Sequence, residues 1–141
     1  MKPCLLDINV LLALAWPSHV HHNQALQWFV RKKTTGFRTC PLTQLGFVRI
    51  SSNPAFSPQA VSPMAALGLL ERITSMPEHA FWPDDLPLAK AISNKRPLVG
   101  HRQVTDAYLV ALAVARDGVL ATLDRGVMAV ASDGGDCVEF V

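Results

Sequence analysis

PCLLDINVLLALAW, residues 3–16, changes character halfway along. Cys4, Leu5 and Leu6 form a short apolar run that reads as a buried strand, and the run ends at Asp7. Residues 9–16 then read as a helix that Pro17 stops. A strand passing straight into a helix opens a β–α unit, and the alternation repeats along the chain. Residues 22–33 place Ala25, Leu26, Trp28 and Phe29 at helical spacing and end on Arg31, Lys32 and Lys33, where cations suit the helix dipole. A second strand is expected over 37–40. A helix is expected over 41–50, with Leu45, Phe47, Val48 and Ile50 mostly inward. After the loop SSNPAFSP, Ser62 caps a helix over 63–75 that starts on Pro63. A third strand over 79–82 precedes a short helix capped by Asp84 or Asp85 and ending at Ile92.

The loop NKRPLVGHRQ leads into the strongest helix of the chain, with Thr105 as N-cap, Asp106 in its first turn and Gly118 as terminator. Residues 119–123 read as a strand ending at Asp124, 125–131 as a short helix and 137–141 as a last strand. This alternation predicts a single α/β domain over residues 1–141 built on a mostly parallel sheet.

Composition narrows the function. Half of the 141 residues are apolar and 17% are charged, which describes a packed globular chain with a sizeable core. The net charge of +2 is too mild to predict nucleic-acid binding alone, but it allows a basic rim around an acidic centre. Cys4, Cys40 and Cys137 make no Cys-x-x-Cys pair and read as small buried hydrophobes of a reducing compartment. There is no signal-peptide pattern, and no apolar stretch reaches the roughly 18 residues needed to span a bilayer. A soluble, cytoplasmic protein is expected.

Asp7, Asp106 and Asp124 each lie in an apolar stretch: PCLLDINVLLALAW, VTDAYLVALAVA and GVLATLDRGV. A carboxylate is seldom buried unless it is paired or binds a metal. Taken singly, Asp106 also reads as a helix-capping carboxylate and Asp124 as part of an ordinary Asp-Arg-Gly turn. Two of the three stand at expected strand carboxyl ends and the third at a helix start, which is where ligands bind in parallel α/β sheets. Together they point to one hard-cation site of the kind used on phosphate esters.

LLDINVLLAL, GHRQVTDAYLVALA and LATLDRG, in this order, resemble the PIN domain of VapC-type toxins. FWPDDLPL and PLTQLGFVRISSNP resemble segments of one bacterial VapC subgroup. The resemblance runs from Leu5 to about Gly126. It implies a three-layer α/β/α PIN-like fold and a Mg²⁺- or Mn²⁺-dependent endoribonuclease, the toxin half of a type II toxin–antitoxin pair. It also implies a VapB-like antitoxin as partner, one that can insert an arginine into the acidic site, and a homodimer or higher toxin–antitoxin assembly. Asp7, Asp106 and Asp124 match three of the family's four acidic positions. The fourth, a glutamate in a Thr-Glu-Leu pattern, reads Thr43-Gln44-Leu45 here. Gln44 offers an oxygen to a hard cation but brings no charge and takes no proton.

The site is thus expected to comprise Asp7, Asp106, Asp124 and Gln44. Asp7 and Asp106 would be direct or water-mediated ligands, and Asp124 would hold a second metal or orient water. Asn9 would fix Asp7 or cap the opening turn, and Thr105 would cap its helix or donate into the site. Arg49, Arg102 and Arg125 flank the acidic segments and are the candidates for RNA phosphate contact. His19, His21 and His22 do not share a helical face and read as an exposed helix start rather than a zinc site. The competing reading is a catalytically weakened PIN-like RNA-binding or interaction module. An aspartate-based phosphohydrolase fits poorly, because its usual Asp-x-Asp pair is Asp7 and Asn9 here.

Overall fold

Central parallel strands are buried on both faces and so need apolar residues on both, which this chain supplies at residues 4–6 and 119–121. In the computed structural model, which describes residues 1–92, 97–131 and 136–141, these two runs and three more mixed segments become strands. The elements are β1 (Cys4–Leu6), α1 (Ile8–Ala15), α2 (His22–Lys32), β2 (Phe37–Thr39), α3 (Pro41–Ser51), α4 (Pro63–Thr74), β3 (His79–Phe81), α5 (Leu88–Ile92), α6 (Gln103–Ala115), β4 (Val119–Thr122) and β5 (Val138–Phe140). A 3-10 turn at Arg125–Val130 follows β4. The strands form one sheet in the order β3-β2-β1-β4-β5, with every pairing parallel. Residues 94–96 of the expected loop NKRPLVGHRQ lie outside the described residues.

The period of two along each strand divides the core. Cys4, Leu6, Phe37 and Ala121 point to the layer of α1 to α4, where Leu11, Trp28, Phe47 and Leu70 meet them. Leu5 and Leu120 point to the opposite layer, packed with Leu109, Leu112 and Ala113 of α6 and with Trp82 and Val127. The result is the expected α/β/α sandwich. The chain grows outward from β1 to β3, then crosses to β4 and β5 on the other side of β1. The strand order therefore reverses between β1 and β4.

Several local expectations shift. Helix α6 starts at Gln103, not after Thr105. The Gln103 and Val104 amides bond the carbonyls of Gly100 and His101, and Gln103 Oε1 accepts the Val99 N–H at 2.7 Å. The preceding turn thus winds directly into the helix, Arg102 occupies the N-cap without a side-chain bond, and Thr105 falls in the first turn. At the other end Asp117, not Gly118, adopts the left-handed conformation (φ 55°). Helix α5 is started by the Pro87 carbonyl, which accepts from Lys90 and Ala91. Asp85 instead pairs with Arg116 at 2.7 Å. Leu45 is 71% exposed rather than inward, and it shares an apolar groove between α3 and α4 with Met64, Leu67 and Phe81. The three cysteines are free and buried. Glu139 on β5 accepts from Trp28 Nε1 at 2.6 Å and pairs with Lys32 at 3.3 Å, tying that strand to α2. Among the described residues no helix is long and apolar enough to cross a membrane.

Two glycines should respond in opposite ways to alanine. A Cβ at Gly118 would sit 2.6 Å from Trp82 Cη2 and 2.8 Å from the Pro3 carbonyl oxygen. Gly68, inside α4, faces open space. Gly118→Ala is expected to cost about 1–3 kcal/mol through overpacking. Gly68→Ala is expected to stabilise by about 0.5–1 kcal/mol through helix propensity. Urea denaturation measures both.

Candidate active site

Asp7 stands where β1 gives way to α1. Its N–H extends the ladder to β4 by donating to the Ala121 carbonyl at 2.9 Å. Its side chain caps α1, with Oδ1 accepting the Ile8 N–H at 2.7 Å. Oδ2 accepts the Thr122 hydroxyl at 2.8 Å and, at a longer 3.5 Å, the Asn9 amide. Asn9 also donates to Thr122 Oγ1 at 3.2 Å, and its Oδ1 accepts the Leu123 N–H at 3.1 Å. Thr122 Oγ1 accepts the Asp124 N–H at 3.0 Å. Asp7, Asn9 and Thr122 therefore form one clamp across the point where the strand order reverses, the place at which open α/β sheets bind ligands. Of the two roles expected of it, Asn9 takes the first, bonding Asp7, while the cap of α1 is Asp7 itself. Thr122 was not among the expected site residues. The signal for it is its place two residues before Asp124 in LATLDRG.

Asp124 is exposed and opens the 3-10 turn by accepting the Gly126 N–H at 2.8 Å, so the Asp-Arg-Gly turn forms as well. Asp106 is half-buried in the first turn of α6, and no described donor bonds its carboxylate. Burial, then the charges of Asp7 and Asp124, push its carboxyl up to about 6. Burial also raises Asp7; the Thr122 and Ile8 hydrogen bonds oppose this and the charge of Asp124 adds to it. The three carboxylates thus share one electrostatic field, although they come from three separate stretches of chain.

Gln44 is engaged elsewhere. Its amide donates to Thr39 Oγ1 at 2.9 Å, and Thr39 Oγ1 lies 2.7 Å from His79 Nε2. By alternation from Phe37, Thr39 faces the α1–α4 layer, whereas Asp7 follows Leu5 toward the α6 layer. Asp85, at the far end of α6 with Arg116, lies about ten helical residues and roughly 15 Å from Asp106 along the axis. Arg49 and Thr105 line a pocket beside the aspartates with Ile8, Leu42, Leu45 and Gly46. Arg102 is exposed at the start of α6, and Arg125 stacks on the Phe140 ring at 4.4 Å. His19 and His21 lie in the turn before α2, and His22 Nδ1 is 2.7 Å from the Ala13 carbonyl oxygen.

The donor set suits a hard divalent cation. It offers carboxylate oxygens, one of them half-buried without a donor, whose mutual repulsion a cation would relieve. Among the described residues no three His, Cys, Asp or Glu side chains form a ready-made metal cage. Mg²⁺ needs none, because it keeps several of its waters and uses one or two carboxylates.

The sheet order, the two helical layers and the acidic cluster describe a PIN domain, and the chain matches the PIN domain family over residues 4–132. It is 45% identical over 131 residues to Ribonuclease VapC39 of Mycobacterium tuberculosis, covering 92% of this chain and 94% of that protein. It is also 45% identical over 128 residues to Ribonuclease VapC38 of the same species, covering 90% and 89%. The chain belongs to the VapC branch of the PIN domain family. The fold is shared with the crystal structure of VapBC2 from Rickettsia felis bound to a DNA fragment from their promoter, at TM-score 0.62 and 10% identity over 98% of each chain.

The carboxyl of Asp106 fixes a pH dependence. An unfolded aspartate releases its proton near 3.8, whereas folded Asp106 holds it up to about 6. The raised value contributes stability below the unfolded pKa, and that contribution is lost as pH rises through about 6. In chelator, Asp106→Asn is expected to melt above wild type at about pH 7, with the advantage shrinking toward about pH 4. A pH-independent difference in Tm would contradict the assignment.

Proposed function

We propose that this chain is the toxin of a type II toxin–antitoxin pair, an endoribonuclease that cleaves RNA phosphodiester bonds with Mg²⁺ or Mn²⁺. The observation carrying this reading is Asp106 at the strand-order reversal, a carboxylate with no described donor whose pKa is raised by burial and then by the charges of Asp7 and Asp124. Asp7 and Asp106 hold the ion directly or through water, and Asp124 holds a second ion or orients a water. When bound, the ion lowers the pKa of its water and neutralises charge developing on the phosphate. Asn9 and Thr122 fix the Asp7 carboxylate. Arg49 and Arg102 contact phosphate, and Arg125 does so from its seat on Phe140. A VapB-like antitoxin restrains the enzyme in the cytoplasm, and the toxin forms a homodimer or a higher toxin–antitoxin assembly. The VapC names of the relatives and the VapBC complex of like fold support these partners.

A second reading, a PIN-like RNA-binding module with weakened catalysis, draws on Gln44. The fourth acid is absent, and the residue in its place bonds Thr39. Inducible expression in bacteria separates the two. Wild type is expected to arrest growth and Asp7→Ala to grow normally, with purified protein losing at least about 100-fold in Mg²⁺-dependent RNA cleavage in Asp7→Asn and Asp106→Asn. Absence of arrest with intact RNA favours the binding module.

Gln44→Glu tests the remaining position. With its side chain turned to Thr39, calorimetric Mg²⁺ or Mn²⁺ affinity is expected to change less than about twofold. A tightening of tenfold, about 1.4 kcal/mol, would bring Gln44 into the metal site.

A further inference from the structure

The pocket beside the aspartates has a volume of about 450 Å³, within the range of small-ligand sites. Ile8 directly follows Asp7 in sequence and Thr105 directly precedes Asp106, so two of its lining residues are chain neighbours of the aspartates. Its other walls are the aliphatic faces of Leu42 and Leu45 and the bare backbone of Gly46. The glycine makes room for the Ile8 wall, because a Cβ there would collide with Ile8 Cδ1 and displace that side chain. Leu45 is 71% exposed, which makes it a platform rather than core. Arg49 is exposed, and no described residue forms an ion pair or hydrogen bond with its guanidinium. The Thr105 hydroxyl is likewise exposed and unbonded among the described residues.

Apolar walls, one hydroxyl and one unpaired guanidinium match the parts of a nucleotide: base plane, base edge or 2′-hydroxyl, and phosphate. A cation here also offsets the repulsion that three carboxylates impose on an approaching phosphate backbone. Resting on the ribonuclease reading, we propose that this pocket is a nucleotide subsite. It seats one unstacked base of single-stranded RNA against Ile8, Leu42 and Leu45, while Arg49 holds the adjoining phosphate. A base inside a duplex is stacked and does not reach such walls, so the subsite selects single strands, and its shape biases which base lies next to the cleaved bond.

The test is binding, with cleavage removed by Asp106→Asn. Labelled single-stranded RNAs of about eight nucleotides, made of A, C, G or U alone, are compared by anisotropy with an abasic ribose chain of the same length. At least one base is expected to bind about tenfold more tightly than the abasic chain, and Gly46→Ala and Leu45→Ala are expected to erase that ratio. Leu45 is exposed, so its variant keeps the test valid if Gly46→Ala does not fold. Arg49→Ala is expected to weaken every RNA alike and to lower the salt slope by about one. Base-independent binding, no binding, or a base preference kept in Leu45→Ala would overturn the subsite. A pocket that seats a protein side chain instead gives base-independent RNA binding and is excluded by the expected result. Failure of metal-dependent cleavage in the unmutated chain sinks the ribonuclease reading and leaves the binding result standing.

Discussion

The hydrogen bond from Thr122 to Asp7 joins the two strands between which the sheet changes its direction of growth. It also decides how a carboxylate survives at 6% exposure. Burying an ionised carboxylate without donors is far more costly than losing one hydrogen bond. Ile8, Asn9 and Thr122 supply the donors, and each is fixed by the fold: Ile8 by the first turn of α1, Thr122 by pairing of β4 with β1 and Asn9 by the Leu123 amide. Asp7 is therefore a structural residue and a site residue at once. It ends a strand, caps a helix and ties β1 to β4 through Thr122.

Asp106 and Asp124 are held differently. Asp124 spends one oxygen on its own turn, and Asp106 spends none on any described donor. The unrelieved repulsion is a local cost that the surrounding core sustains. Such uncompensated groups collect where a protein has work to do rather than where it is merely packed.

Much of this was readable in the sequence because the two central strands, β1 and β4, are buried on both faces and appear as plain apolar runs. A charge inside such a run is conspicuous, which made Asp7 visible and, with it, Asp106 and Asp124. Thr122 was not visible: threonine is an ordinary strand residue, and its role depends on the register that sets Leu6 beside Ala121. Gln44 sat in the right motif, but side-chain direction is decided by Thr39, whose facing follows from the pleat. The start of α6 misled because threonine before aspartate looks like a cap, while the real turn is closed by Gln103 and Val99. Likewise glycine is the expected left-handed residue after a helix, yet Asp117 takes that conformation and Gly118 is needed for the room it leaves Trp82 and Pro3.

The sheet ends at β3 on one side and β5 on the other, each only three residues long. Short edges offer too few free backbone groups to template another strand. Another chain therefore finds little purchase in extending the sheet, and recognition falls to side chains on the helical faces. The same brevity guards against open-ended stacking of copies through their edges, and the Glu139 carboxylate on β5 adds a charge to one of them.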